Sequence, residues 1–288
     1  MKKNTILYAS GAVLCLLLGL SSCGKETKST NQEKVAVKKT ETKKETPSDI
    51  FFYTSQHRAD KYQPTEDKMG FGSQIFHVAE GEFKDNDNIC EVWIAPQIEL
   101  VDRSAFEGCS SLETVHFQGL VKVIQDDSFK GCSALKSLNF DAYTIGLDAF
   151  KDCISLESAR FGEHIWWIRA GAFANCRKLR SVLMGITMKK LEDGAFEGCT
   201  GIEEFSIPND FKNRMFGLVP SASKWKKIYL LSTEYYVMPK NCTPNKGCTL
   251  YVPDAFLAQF QADADWMQFG SIEPLSKSKY FTAEGLWK

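Results

Sequence analysis

The chain has 288 residues, 43% hydrophobic and 25% charged, with a formal net charge of −1. That is enough apolar surface for one continuous core or a short repeat array, and too much for a disordered chain. A nearly neutral balance argues against nucleic acid as a partner and against a purely electrostatic grip on a membrane.

Residues 1–22 read as a secretory leader. Lys2 and Lys3 form a basic start, and Ile6 to Leu20 form an apolar stretch shorter than a bilayer span. It ends in Leu20-Ser21-Ser22-Cys23, which resembles the bacterial lipobox. The resemblance implies that Cys23 becomes the lipidated N-terminus and anchors the chain to a membrane. Gly24 and Lys25 follow, with no aspartate to suggest inner-membrane retention, so the outer membrane is the expected location. Residues 23–48 then form a tether with seven Lys and four Glu and only Val35, Ala36 and Val37 as an apolar cluster, too polar to offset its ordering entropy. Residues 49–74 are aromatic-rich and are expected to cap the body that follows. Gly70-Phe71-Gly72 reads as a turn within that cap.

The body repeats. Phe83, Phe106, Phe129, Phe150, Phe173 and Phe196 are 23, 23, 21, 23 and 23 residues apart. Apolar residues keep step with them: five before stand Val78, Val101, Ile124, Ile145, Ile168 and Leu191, and six after stand Ile89, Leu112, Leu135, Leu156, Leu179 and Ile202. Nine and eleven after, apolar positions alternate with polar ones, the pattern of a strand with one buried face. Two residues after each phenylalanine come Asp85, Gly108, Gly131, Asp152, Asn175 and Gly198, types that tolerate positive φ and predict a sharp turn. One such unit cannot bury its own apolar edge, so the units must stack.

The period and the L-x-x-V-x-F core match leucine-rich repeats. The recurring I-x-x-x-A-F-x-G-C-x-x-L-x-x-V-x-F resembles the BspA-type repeat of bacterial surface proteins from about Ile75 to Ile207. The expected fold is an α/β repeat solenoid: parallel strands on one face, short helical turns or loops on the other, and a cap at each end. Residues 75–207 hold six repeats of about 23 residues. Residues 208–275 hold a degenerate unit (Trp225, Ile228, Leu230) and a closing segment (Leu250-Tyr251-Val252-Pro253, Phe260, Trp266, Phe269, Ile272), and 276–288 form a tail. The resemblance implies surface adhesion and binding of a protein ligand, with no enzyme activity.

Cys109, Cys132, Cys153, Cys176 and Cys199 each follow a repeat phenylalanine by three residues. Equivalent positions stack, so these are expected to be a buried row of reduced thiols donating weakly to turn carbonyls, with Asn86 serving the same role in the first unit. Cys242 and Cys248 are close enough to bridge or can stay free. Cys90 falls on an outward strand position. No catalytic fingerprint is present, and no Cys or His spacing suits zinc. Asp85-Asn86-Asp87-Asn88 opens like a calcium loop, but Cys90 stands where glycine is required. Asp126 and Asp127 read as solvated loop carboxylates. No cofactor is expected.

Two surfaces are candidates for a ligand. Ten residues after each phenylalanine, the outward column reads Trp93, His116, Asn139, Arg160, Leu183, Ser206 and, by extension, Tyr229. It is flanked by Glu91, Thr114, Ser137, Ser158, Ser181 and Glu204. At roughly 4.8 Å per strand this makes a face about 30 Å long, suited to a protein or an extended glycan. The second candidate lies seven and six residues before the phenylalanines, where Tyr143, Trp166 and Trp167 replace Lys122, Lys189 and Lys190. Two adjacent tryptophans cannot both be buried on a short strand, so one is expected to face outward. An aromatic platform there would suit a glycan-binding accessory protein.

Overall fold

A computed structural model describes residues 50–54, 59–62, 65–69, 73–211, 224–240, 242 and 244–288. The leader, Cys23, the tether and Gly70-Phe71-Gly72 lie outside the described residues.

The repeats wind into a solenoid with two parallel sheets. The first holds β5 (Ile89–Ile94), β7 (Thr114–Phe117), the start of β9 (Ser137–Ile145), β10 (Ser158–Phe161), β12 (Ser181–Leu183) and β14 (Glu204–Pro208). It continues through β15 (Lys227–Leu231), β16 (Thr249–Val252) and β17 (Ser271–Pro274). The second holds β4 (Ser73–Val78), β6 (Ile98–Val101), β8 (Leu120–Ile124), the end of β9, β11 (Trp167–Ile168) and β13 (Lys190–Leu191). Register is one repeat per rung: Val92 pairs with Val115, and Ala159 with both Leu138 and Val182. Antiparallel strands meet the N-terminal rungs. β1 (Ile50–Thr54) runs between β2 (Ala59–Tyr62) and β5, and β3 (Thr65–Met69) pairs with β4.

The unit beginning at Phe129 is two residues short, and the loss falls at the corner between the sheets, where Phe140 and Ala142 stand only two apart. There the nine-residue β9 passes from one sheet to the other without a break.

Of the two forms expected opposite the strands, the chain takes the loop. Each unit has two residues with positive φ. The expected one follows the phenylalanine by two (Asp85, Gly108, Gly131, Asp152, Asn175, Gly198), and a second precedes it by two (Gly81, Ser104, Asp127, Asp148, Gly171, Gly194). These bends stop any helical run and aim the amides between them at the next repeat. Phe83 N donates to Ala105 O at 2.8 Å, Phe106 N to Ser128 O at 2.7 Å, and Asp85 N to Glu107 O at 2.6 Å, repeat after repeat. This side is therefore a third hydrogen-bonded ladder, which is how a loop satisfies its backbone without helix.

Inside, the six repeat phenylalanines stack at 5.0–5.3 Å with nearly parallel rings. The five cysteine thiols form the expected row, each donating to the carbonyl of the preceding repeat's phenylalanine: Cys109 to Phe83 at 3.0 Å, Cys153 to Phe129 at 3.3 Å, Cys199 to Phe173 at 3.0 Å. Burial pushes the Cys109 thiol up to about 12 and raises Cys132 and Cys153 as well, so these thiols stay protonated and unreactive. Asn86 does something else: its side-chain oxygen accepts from Asn88 N at 3.1 Å within its own loop. Cys242 and Cys248 are free and buried. Cys90 is also buried, against the expected outward position, because the β1 register skips from Glu91 to Ile89 and leaves Cys90 in a bulge. Asp126 is not a free loop carboxylate; it accepts from Leu147 N and Arg169, each at 2.8 Å.

The C-terminal end is closed by aromatics. Phe260 of the short helix α1 (Leu257–Ala262) packs edge-on against Tyr235, Tyr236 and Trp266, and Trp225, Trp266 and Phe269 are buried with it.

Candidate binding surface

The outward column of the first sheet is divided in two. Toward its N-terminal end Trp93 and His116 are half-buried. Trp93 and His116 stack with ring centroids 4.3 Å apart, and Glu91 Oε1 lies 2.7 Å from His116 Nε2, fixing the imidazole over the indole. Ser137 and Asn139 on the next rung are exposed. Flat strands with short polar side chains around one aromatic pair give a surface that can bury area against another macromolecule.

From Arg160 onward the column is covered, which corrects the expectation for three of its members. Leu183 is 3% exposed and Tyr229 1%, and Ser206 is fully buried. The cause is the tail, which folds back over the sheet rather than trailing away. Leu275 and Phe281 are fully buried against Leu183, Tyr229 and Leu231, with Tyr280 and Trp287 packed at the margin. Phe281 sits 5.3 Å from the Tyr229 ring and 4.6 Å from Trp287. Arg160 marks the boundary: its guanidinium lies 4.2 Å over the Trp287 ring and 5.9 Å from Tyr280. Glu163 accepts from Trp287 N at 3.2 Å. Buried Ser206 bonds both the amide and the carbonyl of Met184 on the adjacent rung, at 2.6 and 2.9 Å. Tyr229 donates to Glu204 at 2.6 Å, and burial together with that carboxylate raises its phenol well above the usual range.

The second candidate surface splits its two tryptophans as expected. Trp166 is 60% exposed and Tyr143, one rung before it, 39%. Trp167 is held: its indole donates to Glu192 at 3.1 Å, and Lys190 lies 3.9 Å over its ring. Burial opposes the charge on Glu192, but the Ala170 amide, Lys190 and the Trp167 indole outweigh it and hold the carboxyl below its usual range. Tyr143 gains an edge-on partner that sequence reasoning missed. His164 stands 5.9 Å away, tied by Nδ1 to Asp141 at 2.5 Å. The tail over the first sheet was missed as well. Its one signal was Tyr280, Phe281 and Trp287 within thirteen otherwise polar-rich residues.

Among the described residues no group of three or more His, Cys, Asp or Glu could hold a metal ion, and no helix is long and apolar enough to cross a membrane.

Several solved structures are similar. A leucine-rich repeat protein of T. pallidum is 28% identical, with 48% of this chain and 66% of that one aligned at a TM-score of 0.44. One from Bacteroides ovatus is 21% identical over 75% and 56% of the two chains, at 0.40. A leucine-rich cell surface protein of Faecalibacterium prausnitzii is 17% identical over 80% and 72%, at 0.49. The chain thus spans just under two thirds of the first and little more than half of the second. No curated protein matches. The model of the BspA type leucine-rich repeat region matches in six copies, over residues 66–136 and 132–233. With more than half its length matched and the repeat geometry in place, the chain belongs to the BspA-type leucine-rich repeat family.

Proposed function

We infer that this chain is a lipoprotein of the outer membrane or cell surface whose repeat domain binds a protein ligand, in adhesion or host interaction, through the open half of the first sheet. The observation that carries the reading is the half-buried Trp93–His116 stack beside exposed Ser137 and Asn139. Tryptophan is among the side chains that most often dominate interface energy, and a stacked, hydrogen-bonded ring pair is already ordered, so little entropy is lost on docking. The leader ending in Cys23, followed by a polar tether, supports display at a membrane surface.

The purified chain on an array of extracellular matrix and surface proteins tests the ligand. A bound protein should be lost with Trp93→Ala/His116→Ala and kept with Trp166→Ala. Binding indifferent to the first pair would remove this face from consideration. Palmitate labelling that disappears with Cys23→Ala tests the anchor, and labelling that persists would refute it.

A further inference from the structure

We propose a second, separate binding site on the second sheet: Tyr143 and Trp166 form a stacking platform for a neutral polysaccharide. The two residues occupy the same outward column on adjacent rungs, joined by a bond from Trp166 N to Tyr143 O of 3.0 Å. Adjacent rungs lie roughly 4.8 Å apart, so both side chains are within reach of one extended ligand. Trp166 is 60% exposed, in a body whose repeat phenylalanines are nearly all fully buried. Exposing an indole on a short strand forgoes its burial energy.

The surroundings select the ligand class. The cations near the platform are matched, Lys122 with Glu99 at 2.7 Å, Lys190 with Glu192 at 3.3 Å, Lys189 with Asp210 at 2.7 Å and Arg169 with Asp126 at 2.8 Å, and His164 shares a hydrogen bond with Asp141 at 2.5 Å. A charged ligand would have to break these pairs to be recognised. A neutral one does not. The exposed apolar area is confined to two rings on neighbouring inner rungs of the second sheet, too small for a protein hot spot, which needs a surrounding rim that shuts out water. Sugar rings fit what remains. Their C–H faces lie on the negative faces of the aromatic rings, and their hydroxyls meet acceptors already fixed in place, the carboxylates of Asp141 and Glu192.

Affinity electrophoresis of the purified full chain through gels holding dextran, mannan or xyloglucan tests the site, with heparin as the charged control. At least one neutral polysaccharide should retard the protein. Trp166→Ala and Tyr143→Ala should each weaken that retention about tenfold, near 1.4 kcal/mol of binding, while Trp166→Phe falls between and Trp93→Ala leaves it unchanged. Both aromatics are exposed, so the variants should keep the parent circular dichroism. The site is overturned if no neutral polysaccharide retards the chain, if heparin alone does, or if retention survives Trp166→Ala/Tyr143→Ala. None of these outcomes bears on the face around Trp93.

Discussion

The two halves of the first sheet have the same backbone, register and alternation, and opposite fates. Trp93 and His116 face outward from β5 and β7 and are half-buried, and Asn139 of β9 is exposed. Leu183, Ser206 and Tyr229 face outward from β12, β14 and β15 in the same column and are buried. Strand alternation decides which side of a sheet a residue takes. It does not decide what lies over that side. The chemistry of the column changes where the cover begins, from Trp, His and Asn to Leu, Ser and Tyr, with Arg160 between them stacked on Trp287.

The sharpest way to break this comparison is to remove the cover. Phe281 is fully buried and central to the tail's contact, so Phe281→Ala should cost about 3–5 kcal/mol in urea unfolding. His116→Ala, on the open half, should cost less than about 1 kcal/mol. Phe281→Ala should also raise binding of a hydrophobic dye, as Leu183, Tyr229 and Leu231 come into contact with water. Equal small costs for the two variants would mean that the tail merely rests on the sheet and the division is not real.

Alkaline titration sharpens the same contrast with a smaller change to the core. The Tyr229 phenol is raised by burial and by its bond to Glu204, whereas an unfolded tyrosine ionises near pH 10. Above that pH the unfolded chain releases this proton before the folded chain does. Stability present below about pH 10 is therefore lost as pH rises. Tyr229→Phe should flatten the alkaline limb of the stability profile, and an unchanged limb would place the titrating group elsewhere.

The repeat core was legible because its residues recur: six phenylalanines and five cysteines in step leave one way to stack them. One bend of each loop was legible too, since Gly, Asn and Asp fill the position two after each phenylalanine. The bend two before it was hidden, because Ser104, Asp127 and Asp148 share that column with three glycines and look like ordinary polar surface. The tail was illegible for a plainer reason. It occurs once, so no period reports it, and its aromatics can be assigned only when the column they cover is seen. The hidden bend yields a paired test. Gly171→Ala puts a side chain at φ +68° and into the Asp148 carboxylate, and should cost about 1–2 kcal/mol. Asp148→Gly relieves the same strain one repeat earlier while giving up the Lys151 bond at 3.0 Å, and should lie within about 1 kcal/mol of the parent. Both are read from urea midpoints, and equal losses would show that the bend is not what matters there.

The smallest effect tests whether the two halves are one solenoid despite their different covers. Seven residues after the last five repeat phenylalanines, Glu113, Lys136, Glu157, Arg180 and Glu203 alternate in sign, and Lys226 continues the row on the next rung. Their amides hydrogen-bond from rung to rung, and Lys136 meets Glu113 at 2.5 Å while Arg180 and Lys226 flank Glu203 at 3.2 and 2.8 Å. The ladder runs from the His116 rung into the covered half. A one-rung slip would bring like charges together along its length, so the alternation opposes misregister more than it adds to stability. Arg180→Glu places three acids in succession at the boundary between the halves. At low salt the melting temperature should fall by roughly 1–2 °C, and the loss should shrink in molar salt as the charges are screened. Adding both Glu203→Lys and Lys226→Glu leaves a single like-charged contact, between Glu157 and position 180, and should recover part of the loss. A drop insensitive to salt would mean that Arg180 acts through the packing of its stem, and that the register is set by the phenylalanine stack alone.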